Sequence, residues 1–163
     1  MNLLIIRHAD AGDREAFAPR GKPDSQRPLS RDGIRKMRAI ARGLKRTAPP
    51  VDLLVSSTLV RARQTADIVA AAFGKVRRAR RAEFAPDAPT ESAVAWLRAR
   101  RERSIAVVGH EPHLSLLIAH LCAAGRVFTG LKKGGACLLE IKGRSATLAW
   151  LMQPGQIKRR PAP

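Results

Sequence analysis

Three short polar segments, each directly after an apolar run, contain the residues of this chain best suited to chemistry. Arg7 and His8 follow the first apolar run, Ser57 and Arg61 follow the second, and His110 follows the third. Histidine supplies a nucleophilic ring nitrogen, and arginine supplies fixed, permanently charged hydrogen-bond donors. If the three segments meet in the fold, they form one site with two imidazoles and two guanidinium groups.

This set of side chains is suited to phosphoryl transfer. A neutral imidazole is a good nucleophile toward phosphorus, and the transfer mostly requires positioning and stabilisation of the charge on the equatorial oxygens. The planar fork of arginine binds phosphate oxygens in pairs, and nearby arginines lower the pKa of a histidine. A second histidine, protonated by the bound phosphate, would add another donor. We therefore expect no metal and no cofactor.

Strand-like and helix-like segments alternate along the chain, which predicts an α/β domain with a largely parallel sheet. Short apolar runs predict buried strands at residues 1–8, 51–56 and 105–109, a short arginine-rich strand at 76–83, and a closing hairpin at 136–141 and 146–152. Apolar residues at helical spacing predict helices at 31–47, 59–73, 90–101 and 113–123. Ligands of such sheets bind beyond the carboxyl ends of the strands, where the three polar segments would converge.

The net charge of +18 on 163 residues is extreme for a chain that fits one domain. Three explanations compete. The charge could attract an acidic partner or substrate, it could bind nucleic acid, or it could reflect mutational bias, because 23 of the 31 basic residues are arginine. The chain has no tyrosine and only four phenylalanines, so the aromatic residues typical of single-strand binders are missing. We expect no nucleic-acid partner.

The expected location is the cytoplasm. The amino-terminal apolar run is short and has no basic flank, unlike a secretory signal. No apolar run approaches the roughly 20 residues that span a bilayer, so we expect no membrane contact. Cys122 and Cys137 lie in apolar stretches and are expected to be small buried thiols rather than a disulfide scaffold.

Three motifs of the chain resemble those of the histidine phosphatase superfamily, also called phosphoglycerate-mutase-like. IIRHADAG at residues 5–12 is similar to the Arg-His-Gly motif, with Ala9 in place of the usual glycine. The second and third motifs are similar to STLVRARQT at 57–65 and VGHEP at 108–112. Within the superfamily, residues 2–155 are most similar to bacterial phosphohistidine phosphatases of the SixA type. Supporting segments are DSQRPLSRDG at 24–33, LKKGG at 131–135 and AWLMQP at 149–154.

The resemblance implies a minimal three-layer α/β/α sandwich with no large cap insertion. Residues 1–155 would form the single domain, and 156–163 a basic, frayed tail. His8 would be the phosphorylated nucleophile, with Arg7, Arg61 and His110 completing the phosphate pocket. Each of these residues also has a structural interpretation: a hydrogen-bonded histidine at a strand end, a solvated arginine on a helix, or a buried structural histidine.

Other polar residues of the motifs are expected to support the site. Arg27, in the Arg-Pro-Leu segment, is either at the pocket rim, where it would help to bind phosphate, or simply solvated. Ser57 and Thr65 are expected to cap or orient the helix that carries Arg61 rather than to touch substrate.

The remaining histidines, His113 and His120, are expected to be structural or surface residues. His110 and His113 have a spacing that a zinc site can use, but Pro112 lies between them and a third ligand is missing. A zinc site is therefore not expected.

No general acid is obvious. Larger superfamily members supply a carboxylate from an insertion between the second and third motifs, but here only about 44 residues separate Thr65 from His110. Glu83 is the nearest candidate by position, and Glu111 and Asp10 are alternatives. A phosphohistidine needs less help from an acid than a phosphate ester does, because its leaving imidazole can be protonated before departure.

The missing cap also predicts a shallow, open pocket, which suits a phosphohistidine exposed on another protein, such as a signalling phosphotransfer domain. Two alternatives remain open. One is a general phosphatase of the same fold that acts on small phosphate monoesters. The other is a module that binds phosphate or polyanions without turnover. A mutase is disfavoured because transfer between positions of one substrate requires an enclosed site.

Overall fold

The structure is a computed structural model that describes residues 1–159. Over that range the strands are β1 (Asn2–Arg7), β2 (Leu53–Ser56), β3 (Arg77–Arg80), β4 (Ser104–Gly109), β5 (Ala136–Lys142) and β6 (Ser145–Met152). The helices are α1 (Arg14–Phe17), α2 (Arg31–Thr47), α3 (Val60–Phe73), α4 (Thr90–Arg98), α5 (His113–Leu121) and α6 (Pro154–Arg159).

The strands form one sheet in the order β3-β2-β4-β1-β5-β6. Strands β1 to β4 pair in parallel, whereas β5 and β6 are antiparallel, so the predicted mostly parallel sheet with a C-terminal hairpin is confirmed. Arg7 pairs with Gly109 across β1 and β4, and Ser56 pairs with Val108 across β2 and β4. The carboxyl ends of the three central strands therefore finish at one edge of the sheet.

Both faces of the sheet are covered by helices, which gives three layers. Leu4 and Ile6 of β1 pack into a cluster with apolar residues of α2, α3 and α6, while Leu3 and Ile5 pack on the opposite side with residues of α4 and α5. Successive side chains of a strand point to opposite faces, so a continuous apolar run buries itself on both. This is why short apolar runs predicted the central strands correctly.

The start of α2 is fixed close to the carboxyl edge of the sheet. The Ser30 hydroxyl accepts a hydrogen bond from the Gly33 amide at 2.9 Å and so caps the amino terminus of the helix. A Cβ atom on Gly33 would lie 2.1 Å from the carbonyl oxygen of Asp10. Glycine at this position therefore lets α2 pack directly against the segment that follows His8.

The chain differs from the sequence-based expectation mainly at the ends of elements. Helices α4 and α5 end at Arg98 and Leu121, two or three residues early. The predicted strand at 76–83 is limited to β3 because residues 82–84 turn to bury Phe84 completely in the core. Between β2 and β4 the chain forms only α3, β3, this turn and α4, so no large cap is present there.

The carboxyl-terminal residues correct the expectation of a frayed tail. Residues 156–159 belong to α6, and Ile157 is fully buried against α2, where Gly43 leaves room for its backbone. The segment is ordered because an apolar side chain anchors it to the core. Residues 160–163 of the predicted tail lie outside the described residues. In residues 1–159, no helix is both long and apolar enough to cross a bilayer.

Candidate active site

A cavity of about 660 Å³ opens at the carboxyl edge of the sheet. The four main site residues predicted from the sequence all line this cavity: Arg7 and His8 at the end of β1, Arg61 on α3, and His110 after β4. The fold thus brings together residues that are far apart in sequence. The complete lining is Arg7, His8, Gly12, Asp13, Arg14, Asp24, Arg27, Arg61, Pro86, His110, Glu111 and Lys133.

The His8 ring has a defined tautomer. Its Nδ1 lies 2.6 Å from the carbonyl oxygen of Ala9, and a carbonyl can only accept, so Nδ1 carries the proton. In the neutral ring, Nε2 then holds the free lone pair. Burial of the ring lowers the pKa of His8 to about 4, against the opposing effect of the Ala9 hydrogen bond. The charges of Arg61 and Arg7 lower the pKa further, but burial is the larger cause.

The His110 ring lies beside the nucleophile candidate. Its centroid is 4.9 Å from that of His8, and its Nε2 is 2.7 Å from the Ser57 hydroxyl. Burial, reinforced by the proximity of His8 and the arginines, lowers the pKa of His110 to about 2. Both rings are therefore neutral in the free protein at neutral pH. His110 Nδ1 is buried and has no hydrogen-bond partner among residues 1–159.

Each arginine is held by one end of its guanidinium group. Arg7 Nη1 donates to the Leu131 carbonyl at 2.7 Å, and Arg61 Nη1 donates to the Asp24 carbonyl at 2.9 Å. The Nε–H groups of both arginines are buried and have no partner in the described part of the chain. Each guanidinium is thus fixed through one nitrogen and retains further donors that an oxyanion could satisfy.

Two hydroxyl groups connect α3 to the strand ends. Thr65 Oγ1 donates to the Arg61 carbonyl at 2.7 Å and accepts from the Ala9 amide at 3.0 Å, so it joins the helix to the residue after His8. Ser57 Oγ accepts weakly from the Leu59 amide at 3.2 Å but also contacts His110. The orienting role expected for both residues is consistent with these bonds, and the contact with His110 was not foreseen.

A family model for the histidine phosphatase superfamily, branch 1, matches residues 3–84, which is half of the chain. A relative, an uncharacterized protein of Picosynechococcus sp., is 32% identical over 117 residues, which cover 70% of this chain and 68% of that protein. This chain belongs to the histidine phosphatase superfamily. The resemblance seen in its motifs is therefore confirmed.

A further relative and a solved structure match this histidine phosphatase over nearly its whole length. Phosphohistidine phosphatase SixA of Escherichia coli is 28% identical over 164 residues, covering 97% of each chain. A solved structure of the protein histidine phosphatase SixA complexed with tungstate superposes with a TM-score of 0.84 at 25% identity, covering 95% of this chain and 98% of that one. The minimal fold without a large insertion is the fold of these relatives.

Arg27 of this histidine phosphatase is at the cavity rather than in free solvent. Its Nε donates to the Asp24 carboxylate at 2.8 Å, and its Nη1 donates to the carbonyls of Ala11 and Gly12 at 3.1 and 2.9 Å. Because all three of these hydrogen bonds are to residues 11–24, the side chain mainly holds the segment of residues 10–28 together at the rim of the cavity.

The three candidate general acids have different surroundings. Glu83 lies in the turn before Phe84 and does not line the cavity. Glu111 lines it, but its carboxylate accepts hydrogen bonds from Ser115 and from the Leu131 amide. Asp10 is bound by Lys133, whose hydrogen bond is the main reason that the pKa of Asp10 falls to about 2. Glu83 is therefore away from the cavity, the Glu111 carboxylate is engaged by hydrogen-bond donors, and Asp10 is ionised, so the free protein offers no obvious general acid among these three.

The two other histidines are outside the cavity lining. His113 is buried, its pKa is lowered by burial, and neither ring nitrogen has a partner in residues 1–159. His120 is exposed. Across the same residues no three side chains of the histidine, cysteine, aspartate or glutamate types come together as a metal site would require. Cys122 and Cys137 are free thiols, half-buried and buried.

Proposed function

We propose that this histidine phosphatase removes phosphoryl groups from phosphohistidine residues of proteins, through a covalent phospho-His8 intermediate. The observation that carries the proposal is the hydrogen bond from His8 Nδ1 to the Ala9 carbonyl, which leaves Nε2 as the nucleophile. Arg7, Arg61 and His110 line the same cavity and supply the phosphate-binding groups. Similarity to SixA phosphohistidine phosphatases over nearly the whole chain supports this choice of substrate.

The first step is in-line attack. His8 Nε2 forms a bond to phosphorus while the bond between phosphorus and the substrate imidazole breaks. The leaving imidazole departs as a neutral ring because it takes up a proton from water or arrives already protonated. Arg7 and Arg61 stabilise the charge on the equatorial oxygens. His110, once protonated by the bound phosphate, donates a further hydrogen bond to a phosphate oxygen.

The second step is hydrolysis of the intermediate. Water attacks phosphorus, the bond to His8 Nε2 breaks, and inorganic phosphate leaves with the proton balance restored by the solvent. Because burial holds the pKa of His8 at about 4, the released imidazole is neutral and ready for another cycle. The same arginines stabilise both transition states.

The site also supports a phosphoramidate rather than an ester as substrate. Release of an alkoxide requires an acid, and the three candidate carboxyl groups are away from the cavity, engaged by amides or ionised. Release of an imidazole requires much less assistance. The open cavity and the absence of a cap between β2 and β4 favour a phosphohistidine on the surface of another protein. We place this reaction in the cytoplasm.

The decisive experiment compares substrates. A phosphohistidine-bearing phosphotransfer protein and a panel of phosphate monoesters are offered to the wild type, with His8→Ala as the inactive variant. We expect the phosphoprotein to be preferred by kcat/KM and a labelled, acid-labile phosphoenzyme to appear in the wild type only. Arg61→Ala should lower kcat/KM by about three orders of magnitude, as loss of an arginine does in other phosphoryl transfers.

The control is His120→Ala, which removes an exposed histidine outside the cavity and should leave both turnover and labelling intact. A consistent preference for small esters would contradict the proposed substrate and indicate a metabolite phosphate instead. Phosphate binding without any labelled intermediate would contradict the proposed activity and indicate a binding module.

A further inference from the structure

Asp24 places a carboxylate among the arginines of the cavity. Its Oδ2 is 3.2 Å from Arg61 Nη1, its Oδ1 is 2.8 Å from Arg27 Nε, and Arg14 Nε lies 4.0 Å away. The backbone carbonyl of Asp24 accepts a second hydrogen bond from Arg61 Nη1 at 2.9 Å. One residue therefore holds the same guanidinium nitrogen through both its main chain and its side chain.

The Arg61 guanidinium is held by these contacts in a buried position. The Arg61 side chain is only 7% exposed, and that of Asp24 is 25% exposed. Burial lowers the pKa of Arg61, and the negative charge of Asp24 opposes this change. Burial acts to raise the pKa of Asp24, but the hydrogen bond from Arg27 and the charge of Arg61 outweigh it, so Asp24 is ionised at neutral pH.

We propose that Asp24 is a positioning residue, which clamps Arg61 Nη1 so that the other donors of this guanidinium are aimed at the phosphoryl group. The inference rests on the proposed function and assigns a role to a residue outside its nucleophile and phosphate ligands. A planar guanidinium held at one nitrogen cannot rotate freely, so its Nη2 and Nε donors keep one direction. Arg27 in turn holds the Asp24 carboxylate, which joins the segment of residues 10–28 to the site.

Two other roles for this carboxylate have different consequences. A general acid would have to be protonated before substrate binds, whereas Asp24 is ionised by its arginine partners. An internal competitor would occupy Arg61 in place of phosphate, so that its removal would strengthen anion binding and raise kcat/KM. Removal of a positioning residue should weaken binding of the trigonal-bipyramidal transition state but not of a simple anion. The reason is that the orientation of the donors matters most for the transition state.

Asp24→Asn separates these roles, because asparagine keeps the backbone carbonyl and nearly the same shape but lacks the charge. We expect kcat to fall by about tenfold to a hundredfold, the range that misplacement of a positioning group produces. Orthovanadate resembles the transition state, so its affinity, measured by calorimetry, should fall by a similar factor to kcat. Inorganic phosphate should bind as well as before or better, since a negative charge has left the cavity.

Two more variants complete the experiment. Asp24→Glu keeps the charge and should recover part of the lost kcat. Asp67→Asn breaks an exposed aspartate–arginine pair with Arg78, 2.9 Å apart and outside the cavity, and should change none of these quantities. Thermal unfolding of each variant checks that it is folded. An unchanged or raised kcat in Asp24→Asn would overturn the proposal, as would equal weakening of vanadate and phosphate binding.

The binding measurements keep this inference distinct from the proposed function. If the wild type shows no turnover of phosphohistidine proteins, the proposed function fails, but the difference between vanadate and phosphate binding still reports whether Asp24 orients Arg61. If the wild type is active and Asp24→Asn shows no such difference, only the positioning role fails.

Discussion

His8 Nδ1 lies 2.6 Å from the carbonyl oxygen of its own neighbour, Ala9. The bond uses only the main chain of Ala9, so the orientation of the imidazole does not depend on the side chain at that position. The same bond is available to alanine and to the glycine of the superfamily motif. The Ala9 methyl group is buried, and the Ala9 amide donates to Thr65. Both main-chain polar groups of Ala9 therefore have a hydrogen-bond partner.

The first prediction concerns the protonation of His8. Because burial lowers its pKa from 6.5 to about 4, the ring should remain neutral throughout the mildly acidic range. Titration of the imidazole protons by NMR, with His8→Gln used to assign the resonance, should give a midpoint near pH 4. A midpoint close to pH 6.5 would mean that the ring is solvated in solution.

The same shift has a consequence for stability. The unfolded chain binds a proton at this histidine near pH 6.5, whereas the folded protein binds it only near pH 4, so acidification favours unfolding. The free energy of unfolding should fall as pH decreases from about 6.5 to 4, by up to about 3 kcal/mol for this residue. Urea denaturation at both pH values should show a smaller decrease for His8→Gln than for the wild type.

Sequence reasoning located the site because its main residues belong to local patterns. Arg7, His8 and His110 are adjacent to apolar strands, and parallel strands bring such positions to one edge without knowledge of side-chain packing. The cause of the lowered pKa of His8 was predicted less well. Nearby arginines were expected to lower it, and they do, but burial is the larger cause, and burial of a strand-end side chain depends on the segments that pack over it.

The parts that sequence reasoning missed are contacts between distant segments. Asp24 lies between the first strand and α2, and nothing in its local sequence indicates that its carboxylate contacts Arg61, 37 residues later. The contact of Ser57 with His110 spans 53 residues. Ile157 belongs to the tail that was predicted to be basic and frayed, yet its buried side chain anchors the last helix.

Ser57→Ala tests the support of His110. Loss of the hydroxyl removes the 2.7 Å contact to Nε2 and leaves this ring nitrogen without a partner inside the protein. We expect kcat to fall by about tenfold, because one neutral hydrogen bond contributes about 1 kcal/mol and its loss also frees the ring. Steady-state kinetics with the preferred substrate measures the change.

The matched control is Ser104→Ala at the other end of β4. Ser104 is also buried, but its hydroxyl has no hydrogen-bond partner among residues 1–159, and it does not line the cavity. This variant should keep full activity and equal or greater stability. If both serine variants lose activity to the same extent, the Ser57 contact has no specific role.

Thr65→Val tests the connection between α3 and the end of β1. Valine has nearly the same shape as threonine but cannot accept the hydrogen bond from the Ala9 amide, so a buried donor is left unsatisfied. The free energy of unfolding should decrease by about 1–3 kcal/mol, measured by urea denaturation. Thr65→Ser keeps the hydroxyl and should lose clearly less stability than Thr65→Val. The reverse order would show that methyl packing, not the hydrogen bond, matters at this position.

The strong positive charge leads to the last prediction, which concerns encounter with a protein substrate. Arg14, Arg27 and Lys133 line the cavity beside the proposed phosphate ligands, on a chain with a net charge of +18. If the phosphohistidine protein is acidic, this charge accelerates association, and salt screens the effect. The kcat/KM for the phosphoprotein should therefore fall by about tenfold or more between low and high ionic strength, while that for a small ester with a neutral leaving group should barely change.

Variants that each remove one positive charge show whether the salt dependence arises from the charges at the cavity. Arg14→Gln removes a cation that is 78% exposed at the cavity, and Arg35→Gln removes one that is 77% exposed on α2, outside the lining. Arg14→Gln should lower kcat/KM for the phosphoprotein at low salt, leave the small ester unaffected and reduce the salt dependence. Arg35→Gln should change these quantities much less. Equal salt dependence for the two substrates, or equal effects of the two variants, would remove the role of the basic cavity in recruiting a partner.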